Sequence, residues 1–243
     1  MSCLCYNYEQ MKPLSKTGFT IIEVILFIGI SGALIVGILM GTGNSINTQR
    51  YHDSVYSFRS FLQQQYSDVS NIGNSSLDNV CGTSTVPRGQ SNCVILGKYI
   101  TTSDSKTFNV KTVIGTIPGA HTFTNEFNEI KLYSITTSLT ANTDSYEMEW
   151  GSSISDISGV NSRLSMLVLR SPVTGTTKTF ISPTSISDTD VDTYLLTTAA
   201  LGTSANNCIS SGDIFTGGRM SVVVNKNATN ANGIVAKGDD SGC

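Results

Sequence analysis

The chain begins with an apolar stretch that is long enough to cross a membrane. Residues 19–40 are rich in Ile, Leu, Val and Gly, and Glu23 is their only charged residue. Because about 20 helical residues span a bilayer, this stretch predicts a membrane-spanning helix. Lys12 and Lys16 precede it, which predicts that this end stays cytoplasmic while the rest is exported. A secretory signal cleaved near residues 31–33 is the alternative, but its apolar core would be only about 7–15 residues long.

Glu23 needs a physical explanation in such a stretch. A carboxylate at the centre of a membrane helix costs about 2.5–3.5 kcal/mol on insertion scales. One interpretation is that a positively charged partner compensates the charge, and the other is that the carboxylate lies near the headgroups and faces water. The pattern of residues alone leaves both interpretations open.

A helical period follows the apolar stretch and predicts a second face. Its apolar residues recur every three or four positions and form one stripe. They are Tyr51, Val55, Phe58, Leu62, Tyr66 and Val69. A single helix over residues 19–70 would be about 78 Å long, with one half in a membrane or filament and the other on a globular head. The alternative is two helices broken near Gly41, because Gly41 and Gly43 each cost about 1 kcal/mol in a helix.

The remainder of the chain has the pattern of a β-rich domain. Short apolar segments rich in Thr, Ser, Val and Ile alternate with turn residues every 8–12 positions. The predicted strands cover residues 93–100, 107–116, 129–135, 146–150, 164–170, 177–181, 219–224 and 233–236. Short joining loops favour antiparallel pairing. The sequence therefore predicts an α+β fold, in which the long N-terminal helix packs on a mainly antiparallel β-rich head at residues 73–243.

The cysteine count supports an exported head. Six cysteines are present, and four of them follow the apolar stretch, namely Cys81, Cys93, Cys208 and Cys243. An even number in an exported domain predicts two disulfides with three possible connectivities. We favour Cys81–Cys93, which would staple the loop entering the sheet, and Cys208–Cys243, which would hold the last residue in place. A zinc site is the alternative, but no Cys-x-x-Cys pair occurs and the chain has only two histidines.

The head carries no pattern typical of an enzyme. No Gly-x-Ser-x-Gly, His-Glu-x-x-His or phosphate-loop motif occurs, so we predict neither catalysis nor a cofactor. His52 and His121 are expected on the surface. Glu147 and Glu149 lie two apart in a predicted strand, where a solvated face is a better explanation than acid–base chemistry.

One candidate metal site and one candidate nucleic-acid surface remain. Asp188, Asp190 and Asp192 have the opening spacing of a calcium loop, but the glycine and the twelfth-position acid of that motif are absent. Positive charge occurs along the first predicted strands, and it would permit a DNA-binding face if it clustered. Its residues are Arg88, Lys98, Lys106, Lys111 and Lys131.

The junction before the apolar stretch resembles the processing and assembly signature of type IV pilins. Residues 16–24 read KTGFTIIEV. The resemblance implies that a prepilin peptidase cuts after Gly18 and methylates the new amino terminus at Phe19. It also implies that Glu23 pairs with the amino terminus of a neighbouring subunit, which supplies the positive partner that hydrocarbon favours.

The same resemblance divides the chain into four parts. Residues 1–18 would be the removed leader, or residues 11–18 if Met11 is the true start. Residues 19–40 would be the transmembrane and assembly half of the helix, and residues 41–72 its amphipathic half. Loss of the leader would change the formal net charge from −3 to −4. Residues 73–243 would be the head.

The layout of the head resembles, more distantly, minor pseudopilins of the H type and related minor pilins. The shared features are a long first helix, a first strand near Cys93 and a late strand opened by Gly218 and Arg219. We therefore expect a minor pilin-like subunit that is stored in the cytoplasmic membrane with its head outside and is polymerised into a surface fibre. Its partners would be other pilin subunits, the prepilin peptidase and an assembly platform in the membrane. The alternatives are a pseudopilin of a secretion machine and a tip adhesin or DNA receptor.

Overall fold

The first element is one long helix. The computed structural model describes residues 18–71, 93–116, 125–137, 144–212, 217–238 and 243. Helix α1 extends over Ile21–Ser70, so Gly41 and Gly43 lie inside it and do not break it. The boundary between two compact units falls between Ile46 and Asn47. The first unit contains the apolar part of α1, and the second contains the remainder of α1 and the head.

The head is built from antiparallel strands, as the sequence predicts. In chain order they are β1 (Cys93–Thr102), β2 (Thr107–Thr116), β3 (Ser134–Thr137), β4 (Asp144–Glu147), β5 (Ser153–Ser155), β6 (Leu164–Arg170), β7 (Thr177–Ser182), β8 (Ala205–Ser210), β9 (Ser221–Val224) and β10 (Ile234–Lys237). Within the described part of the head, two short α-helices join them, α2 (Glu126–Leu132) and α3 (Thr198–Leu201). Together with α1 they form an α+β fold.

The strands form two sheets. The first sheet has the order β3-β2-β1-β6-β7, and β4 also pairs with β2. Strand β4 lies along the start of β2, where Thr107 faces Glu147, and β3 lies along its end, where Thr116 faces Ser134. The second sheet has the order β10-β9-β8-β5. All described strand pairs of both sheets are antiparallel.

The apolar stripe of α1 forms the centre of the head. All six residues predicted to form it are buried, with exposed fractions of 0–2%, so that prediction is confirmed. They pack with side chains of both sheets in one cluster, which includes Met166 of β6 and Val222 of β9. The second part of α1 is therefore a core element of the head.

The other face of the first sheet is also covered. Ile130 of α2, Val191 and Leu195 of a π-helical segment, and Ala200 of α3 pack against it. Because both faces are covered, β6 is buried over residues 164–169. Its side chains alternate between the two clusters, since successive residues of a strand point to opposite faces.

Gly97 lies at a bulge in β1 and in close contact with β6. The pairing with β2 shifts between Ile95 and Gly97. A Cβ atom placed on Gly97 would lie 1.9 Å from the carbonyl oxygen of Val168. Only glycine fits this close approach of two backbones, because any side chain would overlap the neighbouring strand.

Two buried tyrosines of α1 provide polar links to the sheets. Tyr51 Oη donates to the carbonyl oxygen of Ile209 at 2.9 Å. Tyr66 Oη lies 2.7 Å from Thr179 Oγ1, which donates to the carbonyl oxygen of Ala228 at 2.7 Å. Since the Thr179 hydroxyl hydrogen is used in that way, Tyr66 donates to Thr179. Burial raises the pKa of Tyr66 to about 12, because a buried phenolate loses its hydration.

Parts of the strand prediction are wrong. Residues 126–132, which overlap a predicted strand, form α2, because Asn125 caps a helix there and accepts from the Asn128 N–H at 2.9 Å. The strand predicted over residues 146–150 ends at Glu147, and Glu149–Gly151 forms a 3₁₀ turn in which Trp150 has φ 57°. Strands β5 and β8 were not predicted, because Ser153–Ser155 is short and Ala205–Ser210 is largely polar.

Candidate membrane and assembly segment

Residues 21–40 present an exposed apolar surface. Ile21 is 79% exposed, Phe27 72% and Met40 73%. Among the described residues, α1 is the one helix long and apolar enough to cross a membrane. Exposed apolar surface of this extent is unfavourable in water. The segment therefore requires cover from lipid or from other protein.

The predicted cleavage junction lies in front of this surface. Gly18, Phe19 and Thr20 precede the helix and are exposed, with Phe19 81% exposed. Among the described residues, no neighbouring atom lies within 4 Å of a Cβ placed on Gly18. The Gly18–Phe19 peptide bond is thus in non-helical, accessible backbone. The predicted leader, residues 1–17, lies outside the described residues.

Thr20 and Glu23 form the start of α1. Thr20 Oγ1 accepts a hydrogen bond from the Glu23 N–H at 3.3 Å. The spacing Thr-x-x-Glu is that of a capping box, in which the first side chain satisfies an N–H of the first helical turn. A carboxylate in this turn also interacts favourably with the positive end of the helix dipole. Glu23 therefore has a local role at the helix start that is separate from any role between subunits.

The capping role of Thr20 is missing from the sequence-based candidates, although its signal was present. Thr20 precedes the apolar run and Glu23 follows three residues later, which is the capping-box pattern. The resemblance to pilins predicts roles for Gly18, Phe19 and Glu23 but none for Thr20. The structure adds Thr20 as the residue that positions the first turn.

The cysteines of the head include one described disulfide. Cys208 is bonded to Cys243, with their Cα atoms 5.7 Å apart, and this is the pairing favoured from the sequence. Cys93 is also disulfide-bonded. Its predicted partner, Cys81, lies outside the described residues. Arg219 Nη2 donates to the Cys243 carbonyl oxygen, so the disulfide and this hydrogen bond both act on Cys243.

The three aspartates proposed for calcium do not form a joint site. Asp188 forms an ion pair with Lys111. Asp190 Oδ2 accepts from Ser187 Oγ at 2.7 Å, and Asp192 is exposed. The described residues contain no group of three acidic, His or Cys side chains arranged to hold a metal ion. The calcium interpretation is therefore not supported by the geometry.

The remaining polar candidates are dispersed. His52 is exposed on α1, and His121 lies outside the described residues. Glu147 ends β4, whereas Glu149 lies in the following turn and accepts from Ser57 Oγ at 2.9 Å. These two acids therefore do not share the face of one strand.

The basic residues of the first two strands point in opposite directions. The register places Lys98 opposite Thr112, and Tyr99 opposite Lys111. Cross-strand partners share a face, and successive residues alternate. Lys98 and Lys111 therefore lie on opposite faces of the sheet. Lys131 lies on α2 above the ring of Phe127, Lys106 is in the β1–β2 turn, and Arg88 lies outside the described residues.

Comparison with known proteins identifies no similar protein. No protein-family model, curated protein or solved structure matches the chain. The class of protein is therefore defined by architecture: a long N-terminal helix, apolar in its first part, and an antiparallel β head that includes its second part. This arrangement is compatible with pilin-like proteins.

Proposed function

We propose that the protein is a minor, pilin-like subunit of a type IV filament. It is held in the cytoplasmic membrane by residues 19–40, with its head outside, and is polymerised through this segment into a surface fibre for motility, adhesion or uptake. The observation that carries the proposal is the exposed apolar part of α1, in which Glu23 is the only charge and follows the accessible Gly18–Phe19 bond by five residues.

Processing and assembly follow from this local arrangement. A prepilin peptidase cuts after Gly18, where a small residue leaves the extended backbone accessible, and the new amine of Phe19 is methylated. In the fibre, the Glu23 carboxylate pairs with the Phe19 amine of a neighbouring subunit. Such a pair is strong at short range, because the apolar surroundings screen the attraction poorly. The membrane assembly platform supplies the subunits.

Cleavage is tested with Gly18→Val. Co-expression with a prepilin peptidase should convert the wild-type chain to a shorter product and leave the variant as the precursor, as judged by intact mass. Gly43→Val is the control, since Gly43 lies inside α1 away from the junction. Normal cleavage of Gly18→Val would contradict the pilin assignment.

The role of Glu23 is tested with three variants, because this residue also belongs to the capping box. Glu23→Ala removes the charge and most of the side chain, and Glu23→Gln removes the charge but keeps the length of the side chain. Thr20→Ala removes the hydroxyl that accepts from the Glu23 N–H but keeps the charge. Incorporation into sheared filaments is measured at equal membrane pools. Pairing predicts that both Glu23 variants fail to incorporate while Thr20→Ala incorporates. If Glu23→Gln assembles like the wild type, the carboxylate acts only on its own helix.

A pseudopilin of a secretion machine is the second candidate. The observation that favours it is the strand layout of the head, in which β1 begins at Cys93 and β9 follows Gly218 and Arg219. Both candidates share the cleavage and pairing steps. They are distinguished by the genes beside this one, because a secretion machine requires a secretin and secreted substrates, whereas a motile fibre requires a retraction ATPase.

A further inference from the structure

The head has a polar surface hollow between the end of β7 and the segment that follows it. Its volume is about 400 Å³, which is within the range of small-ligand sites. The hollow is lined by Ser182, Thr184, Ser185, Ile186, Ser187, Asp190 and Tyr194. It lies within the head and shares no residue with the membrane and assembly segment.

The lining combines one aromatic ring, one carboxylate and several hydroxyls. Tyr194 is 66% exposed, so its ring is available to a ligand. Asp190 uses Oδ2 to accept from Ser187 Oγ at 2.7 Å, and no lysine or arginine pairs with it within the described part of the chain. The carboxylate can therefore accept further hydrogen bonds, and charge-assisted bonds of this kind are roughly twice as strong as neutral ones.

The turn that contains Tyr194 directs its side chain toward solvent. Val191–Leu195 is a π-helical turn, and its residues Val191 and Leu195 are buried, with exposed fractions of 2% and 0%. These two side chains hold the turn in the apolar cluster that covers the face of the first sheet away from α1. Tyr194 points away from that cluster.

Ile186, another residue of the lining, is also fixed to the sheet. The Ile186 N–H donates to Ser165 Oγ of β6 at 2.9 Å. Tyr99 of β1 donates to the Ile186 carbonyl oxygen at 2.5 Å. The Lys111–Asp188 ion pair lies beside Asp190 and connects the segment to β2. The hollow is thus supported from three strands, and such support gives a binding site its geometry before a ligand arrives.

The chemistry of the lining selects a class of ligand. With one carboxylate and no basic side chain among the described residues of the lining, the hollow repels phosphate, sulfate and carboxylate groups. A single acid is also too few ligands for a calcium ion. A polyhydroxylated molecule with an apolar face fits both parts of the lining. Its hydroxyls would donate to Asp190 and exchange hydrogen bonds with the serines and Thr184, while its C–H face would lie on the Tyr194 ring.

We propose that this hollow binds a neutral saccharide. Tyr194 provides the stacking surface, and Asp190, positioned by Ser187, accepts hydrogen bonds from sugar hydroxyls. Saccharide binding by the head does not require filament assembly. The two proposals are therefore tested separately, and failure of one does not contradict the other.

The test uses the full chain in a zwitterionic detergent without a sugar headgroup. The protein is applied to a panel of immobilised neutral di- to tetrasaccharides built from glucose, galactose, mannose or N-acetylglucosamine. Sialylated and sulfated counterparts are included, and saccharides that retain the protein are titrated in solution by saturation-transfer NMR. We expect retention on at least one neutral saccharide and weaker retention on its charged counterparts.

Variants connect any binding to the hollow. Tyr194→Ala should weaken binding roughly tenfold through the loss of stacking, whereas Tyr194→Phe should keep it within about threefold. Asp190→Asn should weaken it roughly tenfold. The matched controls are Tyr56→Ala, an exposed tyrosine on α1, and Asp192→Asn, an exposed acid outside the hollow; both should bind like the wild type.

Three results would overturn the proposal. The first is that no neutral saccharide in the panel retains the protein. The second is that charged saccharides bind more tightly than neutral ones. The third is that Tyr194→Ala and Asp190→Asn bind as well as their controls. Circular dichroism of each variant confirms that it is folded, which we expect because Tyr194 and Asp190 are exposed.

Discussion

Tyr51 Oη accepts a hydrogen bond from the Met220 N–H at 2.6 Å. The register of β8 and β9 ends with Cys208 opposite Ser221, so its continuation pairs Ile209 with Met220. The Ile209 N–H does donate to the Met220 carbonyl oxygen at 2.9 Å. The hydroxyl of Tyr51 takes the place of the second bond of this pair, because it also donates to the Ile209 carbonyl oxygen at 2.9 Å.

Removal of this hydroxyl should destabilise the head. Tyr51→Phe leaves a buried N–H and a buried carbonyl without their shared partner, which costs about 1–3 kcal/mol of the free energy of unfolding. Urea denaturation of the full chain in detergent, followed by circular dichroism, measures the change. Tyr56→Phe on the exposed face of α1 should stay within about 0.5 kcal/mol of the wild type. A cost below about 0.5 kcal/mol for Tyr51→Phe would mean that, without the hydroxyl, the Met220 N–H of the strand pair bonds directly to the Ile209 carbonyl oxygen.

Tyr66 should make the head less stable at alkaline pH. Burial raises its pKa from 10.0 to about 12 in the folded state. The stabilisation is fully present below pH 10 and is lost as the pH rises from about 10 to 12, because the unfolded chain releases this proton first. The total loss is about 2–3 kcal/mol.

Tyr66→Phe isolates this contribution from those of the other tyrosines. At pH 7 the variant should be about 1 kcal/mol less stable, since the hydrogen bond to Thr179 is lost. Its deficit should shrink as the pH rises above about 10 and change sign before about pH 12, because only the wild type loses stability there and phenylalanine does not titrate. Denaturation curves at several pH values measure the two slopes. Equal slopes for wild type and variant would show that Tyr66 does not carry the effect.

The Cys208–Cys243 disulfide should contribute substantially to stability. It closes a loop with a sequence separation of 35, for which the loop-entropy relation gives about 3–4 kcal/mol. Replacement of both cysteines by alanine should lower the free energy of unfolding by about that amount. Peptide mapping of the unreduced protein should recover the linked peptide and no free thiol at Cys93. A free thiol at Cys208 in the folded, air-oxidised protein would contradict the pairing.

Gly97→Ala tests the close contact between β1 and β6. The added Cβ would lie 1.9 Å from the Val168 carbonyl oxygen, so one of two central strands has to move. We expect a loss of about 2–4 kcal/mol, in the range of strongly disruptive substitutions. Gly238→Ala is the matched control, since no atom of the described residues lies within 4 Å of a Cβ placed on Gly238, and the stability of this variant should not fall. Equal stability of the two variants would exclude a tight contact at Gly97.

Sequence patterns predicted elements where one physical effect dominates. The stripe from Tyr51 to Val69 is a core face with a helical period, and burial of that face determines the helix. Strands β2 and β6 were predicted with their observed bounds, because strongly apolar segments bounded by turn residues have few alternatives.

Other elements depend on tertiary context. The residues of α2 contain an alternation that is typical of a strand, and the Asn125 cap together with the packing of Ile130 on the sheet determines the helix. Strand β8 is polar in sequence, and its buried Asn207 is satisfied by donating to the Val222 carbonyl oxygen at 3.3 Å. Such a partner becomes known only with the pairing of β8 and β9.

The two candidate sites also differ in how far the sequence alone can identify them. Gly18, Phe19 and Glu23 are close in sequence, so a short motif was sufficient to identify them. The hollow around Tyr194 depends on the turn direction of Val191–Leu195 and on the position of Ile186 above β1 and β6. No spacing in the sequence indicates that arrangement.

The buried stripe of α1 has a consequence for the order of events during synthesis. Tyr51 of the stripe bonds to a residue 158 positions later, and Gln63, which lies beside the stripe on α1, bonds to Ala231, 168 positions later. At roughly 5–20 residues per second, this stripe leaves the ribosome about 8–30 s before its partners exist. Contacts of such high sequence separation also form slowly. Newly made chains therefore pass through an interval in which the apolar stripe of the helix is exposed and has no core to join.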